Sequence, residues 1–162
     1  MGGGLTEQGT SMAPSASLDT TLISLVRDAA GVGGIDYSLL AALVEQESGW
    51  NQWAVRYEPA FFSKYISPIY TAGKINATEA WLRAYSWGLG QILGEVAREL
   101  GFTGPFLPEL CDPATNLKYV CLKLKKCLDR NNGDVTKALQ EYNGGSNPTY
   151  AQQVQDRVKH YS

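Results

Sequence analysis

Histidine occurs once in the 162 residues, at His160, and the three cysteines, Cys111, Cys121 and Cys127, have no CxxC spacing. A metal site is therefore not expected, and neither is a disulfide framework, although one bridge involving Cys111 stays open. Cys121 shares a helical stripe with Leu117, Val120, Leu124 and Leu128 and reads as a small buried core residue. No apolar run is long enough to span a bilayer, so membrane insertion is not expected. An excess of charge of either sign is also lacking: 14 Lys and Arg against 16 Asp and Glu leave a net of −2. That balance argues against nucleic acid or an anionic membrane as partner and fits an uncharged or mixed substrate. Nothing along the chain reads as a strand.

The N-terminus lacks the basic and apolar regions of a secretory signal. Residues 1–17 are rich in Gly, Ser and Thr without periodicity and read as a flexible tail ahead of one domain over 18–162. The opening Met-Gly-Gly-Gly-Leu-Thr also fits the loose myristoylation pattern at Gly2 and Thr6, a weaker reading than the tail.

What is present is ordinary globular composition, 44% hydrophobic and 19% charged, in a chain long enough for a real core. Asp19 or Ser17 caps a helix to about Ala30, broken by Gly31-Val32-Gly33-Gly34, and Asp36 caps a second to Glu47 or Ser48. Residues 50–75, with Pro59, Pro68 and Gly73 among aromatics, read as short helices and loops. Helices follow at about 78–85, 90–100, 112–129 and 134–142, and Asn147-Pro148 opens a last one to about His160. The predicted architecture is all-α, without internal repeats.

Within the second helix, Leu39, Leu40, Leu43 and Val44 spread over one stripe, and at about 100° per residue Glu47 projects near its centre while Glu45 points away. A carboxylate among Leu and Val loses hydration, which raises its pKa toward the range of a general acid. The geometry also allows Glu47 to project past the core into water, since Gly49 stops the helix.

Three segments bear on that choice. Glu47-Ser48-Gly49, Gly88-Leu89-Gly90-Gln91-Ile92 and Glu141-Tyr142-Asn143-Gly144-Gly145 resemble, in order, the Glu-Ser, Gly-Leu-Met-Gln and Ala-Tyr-Asn-x-Gly motifs of the soluble lytic transglycosylase family, which is related in fold to goose-type lysozyme. The resemblance implies a lysozyme-like helical domain with a substrate cleft, needing no cofactor. It also implies cleavage of the β-1,4 bond between N-acetylmuramic acid and N-acetylglucosamine in peptidoglycan glycan strands. Glu47 would protonate the bridging oxygen and then take the proton of the muramic acid C6 hydroxyl, which closes onto C1 as a 1,6-anhydro product. One carboxylate suffices because the substrate supplies the nucleophile, whereas ordinary glycosidases need two.

The neighbouring residues carry paired readings. Ser48 acts near the acid or simply bonds locally at the helix end. Gln91 lines the cleft as an amide able to donate and accept. Ser86 partners the acid or substrate, or caps a helix. Tyr142, on one stripe with Val135, Ala138 and Leu139, packs in the core or, as the resemblance implies, reaches toward Glu47, while Asn143 touches substrate or, more simply, sets a turn. Gly90 stands where the family usually has Met.

The interval from Glu47 to Gln91 is longer than the compact family pattern, and its Arg56-Tyr57-Glu58-Pro59 segment resembles one in phage-associated sequences. Glu58 is thus a second carboxylate, either helping a water, which would make the enzyme a hydrolytic muramidase, or pairing with Arg56 on the surface. Trp50, Trp53, Tyr57, Trp81 and Trp87 divide between sugar stacking and core. A non-catalytic glycan-binding domain is the remaining reading. The expected setting is the periplasm or cell wall, reached with a carrier such as a phage particle or a secretion machine, by a domain that is monomeric in isolation.

Overall fold

Asp36 accepts from the Leu39 N–H at 3.0 Å and starts the central helix, α2 (Tyr37–Ser48), which ends at Gly49 with a left-handed φ of 59°. The computed structural model describes residues 19–162, and the tail over 1–17, with the pattern at Gly2 and Thr6, lies outside the described residues. Leu39 through Val44 are all buried, Ala41 and Ala42 included, so α2 is enclosed well beyond the expected stripe. After the short helices α3 (Pro59–Phe61), α4 (Ser67–Thr71), α5 (Ala77–Arg83) and α6 (Gly94–Glu99) comes α7 (Pro113–Arg130), which packs on α1 (Thr20–Gly33) and on α8 (Val135–Tyr142), while α1 and α9 (Tyr150–Val158) flank α2. The fold is the expected helical, lysozyme-like one.

Helix α1 runs past Ala30 to Gly33, and only the last glycine of the string, Gly34, stops it with a φ of 63°. A Cβ on Gly33 would sit 3.0 Å from the Cys121 Cβ, so glycine there permits the close approach of α1 to α7. Cys111, Cys121 and Cys127 are all free and buried, and no bridge forms at Cys111.

The expectation of no strands is corrected by a small antiparallel sheet of β1 (Val55–Tyr57), β2 (Tyr85–Trp87) and β3 (Ile92–Leu93), in that order. Arg56 stands opposite Ser86, and Ser86 opposite Leu93. Strands this short show no legible alternation, and their pairing is decided by distant segments. The helix expected from Gly90 starts only at Gly94 (Gly94–Glu99), because Gly88 and Gln91, with φ of 66° and 49°, turn the chain back as β3.

Asn116, fully buried on α7, clamps this turn. Its Nδ2 donates to the carbonyls of Trp87 (2.7 Å) and Leu110 (2.8 Å), and its Oδ1 accepts from the Gly90 N–H at 2.9 Å. A Cβ on Gly88 would fall 2.5 Å from the Asn116 Nδ2, and one on Gly90 2.3 Å from a Val120 methyl. Val120 fills the space that a methionine at position 90 would need.

Beyond β1 lies a helical segment whose middle, Phe62–Ile66, is a π-helical turn, a form often found at functional sites. Ile66 packs with Ala80 and Ala84 in a second small core. Glu79 ties this wall to the rest by accepting from Arg83 and Arg98, each at 2.8 Å.

Replacing Asn116 by Ala leaves two carbonyls and one N–H unpaired in the core. We expect a loss of about 3 kcal/mol or more in denaturant unfolding. A loss below about 1 kcal/mol would show that the turn holds itself.

Candidate active site

A cleft of about 800 Å³ opens where the end of α2, the sheet, the π-helical turn and the facing sides of α7 and α8 converge. Glu47 lines it, brought there by α2; Glu58 and Ser86 come from β1's end and β2, Gln91 from the clamped turn, and Tyr142 and Asn143 from the end of α8. A separate apolar groove of about 560 Å³ lies between α1 and α7, but its one carboxylate, Asp28, is exposed.

Glu47 is half-buried, and its Oε1 accepts from the Tyr150 hydroxyl. Burial is the largest influence and raises the Glu47 pKa above its ordinary value; the Tyr150 bond and the charges of Lys123 and Arg56 pull it down, and Glu58 pushes it up. The net rise is in the direction that suits a general acid. Of the two readings of Glu47, the structure has the one facing protein.

The transglycosylase SLT domain family matches residues 24–161. This chain belongs to that family. No solved structure matches the chain. The SLT domain is that of transglycosylase-type enzymes, and it points to peptidoglycan as the substrate class.

In this SLT domain the tyrosine bonded to Glu47 is not Tyr142. The Tyr142 hydroxyl donates to the Gly90 carbonyl at 2.9 Å, bracing the turn, while its ring lines the cleft. Tyr150 is the residue that sequence reasoning missed, because its approach to α2 depends on how α9 packs. A hint exists in its place beside Ala151 and Val154, which are buried with it on α9.

Ser86 also bonds elsewhere than expected: its hydroxyl donates to Glu58 at 3.2 Å, across the strand pair. The same Glu58 oxygen accepts from Arg56 Nε at 2.6 Å, so Glu58 both pairs with Arg56 and borders the cleft. Both hydrogens of the Gln91 amide go to backbone carbonyls, Ala54 and Gly88 at 3.0 Å each, leaving its oxygen as the side able to meet a ligand. Ser48 donates to the Val44 carbonyl at 3.2 Å, the local bond, and does not line the cleft. Asn143 accepts from the Asn147 N–H at 3.1 Å and from Ser146, which is turn chemistry at the cleft's rim.

The aromatics divide, though none of the five singled out lines the cleft. Trp50 and Trp87 are core, Tyr57 and Trp81 pack with Phe62, and Trp53 is exposed. The cleft's rings are Phe61, Tyr65 and Tyr142.

Lys123 was missed as well, although it sits on α7 one turn from both Val120 and Cys127, a charge among apolar neighbours as Glu47 is. Its ammonium lies 3.9 Å from the centre of the Tyr142 ring. Burial pulls its pKa below the ordinary lysine value, and Glu47 offsets part of that.

The raised pKa of Glu47 has a stability consequence. The folded state disfavours its ionised form, so the stability contribution is full below the ordinary value of 4.5 and is lost as pH rises through the folded pKa. Glu47→Gln is expected to melt at a higher temperature than the parent at neutral pH, with the gap closing below pH 4.5. Equal melting temperatures across that range would contradict a desolvated Glu47.

Proposed function

We propose that the protein is a lytic transglycosylase that cleaves the β-1,4 bond between N-acetylmuramic acid and N-acetylglucosamine, with Glu47 as its single acid and base. The observation that carries this reading is the sorting of the cleft's carboxylates. Glu58 is paired with Arg56, and Glu141 accepts from Arg130 at 2.8 Å and Asn131 at 2.7 Å. Among the described residues Glu47 makes no ion pair, and burial raises its pKa.

The steps follow from that. Protonated Glu47 gives its proton to the bridging oxygen as the bond from C1 breaks. Its carboxylate, steadied by the Tyr150 hydroxyl, then takes the proton of the C6 hydroxyl while O6 bonds to C1. No water is consumed, and Glu47 ends protonated as it began. Tyr142 supports the site by bracing Gly90, and the Gln91 oxygen faces sugar hydroxyl or amide hydrogens. Ser86 holds Glu58, and Asn143 shapes the rim.

A second reading rests on Glu58. Its place in the same cleft, fixed by Ser86 and Arg56, suits a carboxylate that orients a water, which would make the product hydrolytic.

Mass spectrometry of muropeptides released from purified peptidoglycan separates the two. Anhydro ends are expected, and unchanged by Glu58→Gln; products carrying an added water would overturn the transglycosylase reading. Glu47→Gln should fold and lose roughly 10²–10⁴-fold in release rate. Because protonated Glu47 starts the reaction, activity falls as pH rises through its pKa. Tyr150→Phe removes a bond that lowers that pKa, so the alkaline limb of the pH profile should move to higher pH. A limb moving the other way would remove Tyr150 from this role.

A further inference from the structure

The cleft holds two ammonium groups without a carboxylate partner, although the chain as a whole is slightly acidic. Lys64 on the π-helical turn lies 5.0 Å from the centre of the Tyr65 ring, and Lys123 on α7 lies over Tyr142. Among the described residues neither makes a hydrogen bond or an ion pair, and both line the cleft. Glu58 is paired with Arg56 and Glu141 with Arg130 and Asn131, while Glu47 acts on Lys123 through its charge without forming an ion pair and accepts its hydrogen bond from Tyr150.

Lys123 is the more constrained of the two. Its chain rises from the middle of α7, the longest helix, and its half-buried ammonium faces an aromatic ring on one side and open cleft on the other. An ammonium drawn out of water needs acceptors, and the ring face supplies attraction but no hydrogen-bonding oxygen. A carboxylate meets that need best, through charge-assisted bonds.

We infer that Lys123 recognises a carboxylate carried by the muramic acid side of the substrate, so that the cleft prefers an acidic glycan to a neutral one of equal length. This rests on the proposed peptidoglycan reading. The sugars themselves are uncharged, and the carboxylates available are the lactyl group of muramic acid, free when no peptide is attached, or those of the peptide stem. Either source presents the same chemistry to Lys123. Lys64, on the wall, adds a weaker positive field.

The test measures binding by Glu47→Gln protein, which holds ligand without turnover, with and without Lys123→Met. Three ligands are compared: stem-bearing glycan fragments, the same fragments stripped by an amidase to free the lactyl carboxylate, and chitin oligosaccharide of equal length. Lys123→Met should weaken binding of at least one acidic ligand roughly tenfold, leave chitin oligosaccharide unchanged, and be rescued by Lys123→Arg. A loss confined to stem-bearing fragments assigns the stem carboxylate; a loss with stripped fragments assigns the lactyl group. Equal weakening for chitin oligosaccharide, or none for either acidic ligand, overturns the inference. Lys123→Gln serves as the second variant, and matching melting curves confirm that the loss is not unfolding. If the otherwise unaltered protein still releases anhydro muropeptides while Lys123 proves indifferent, only this inference falls. If it binds no glycan and releases nothing, the peptidoglycan reading falls with it.

Discussion

Because α2 runs through the core with Leu39 to Val44 all buried, the carboxylate that follows one turn after Leu43 emerges against protein instead of water. Everything proposed for the site depends on that desolvation. It raises the Glu47 pKa, and a hydrogen bond from Tyr150 tempers the rise without cancelling it. The same helix carries Glu45, whose carboxylate accepts from Tyr161 at 2.7 Å, while Tyr161 accepts from Trp50 at 2.8 Å. The outward acid thus ties down the end of the chain, and the inward one is left for chemistry.

A desolvated acid is useful only beside a surface that keeps its shape. That surface is the turn between β2 and β3, which has no regular structure to hold it and relies on Asn116 from beneath and Tyr142 from the side. The glycines at 88 and 90 are required by contact as much as by conformation, since Asn116 and Val120 occupy the space a side chain would take. At position 90, where the family motif has Met, Val120 leaves no room for a side chain.

Net charge does not say how charge is paired within the cleft, whose lining carries Glu47, Glu58 and Glu141 against Arg56, Lys64 and Lys123. An acidic chain suggests a neutral or mixed ligand, yet local pairing leaves the ammonium groups of Lys64 and Lys123 unmatched where substrate would lie. Charge summed over a sequence counts every residue equally, whereas a ligand meets only those that other side chains have not already claimed.

The helix cap at Asp36, the helix starts near 112 and 134, and the placement of Glu47 on an apolar face were legible in the sequence because they depend on residues a few positions apart. The motifs around Glu47, Gln91 and Tyr142 likewise pointed to the family. Tertiary structure decided what those residues touch: Tyr150 and not Tyr142 on the acid, Ser86 on Glu58, and Asn116 beneath Gly90. It also decided the short sheet, whose strands pair Arg56 with Ser86 across an intervening helical segment. Local spacing fixes which face a side chain leaves its own helix by, but its partner is chosen by the packing of elements far apart in the chain, and no period in the sequence records that choice.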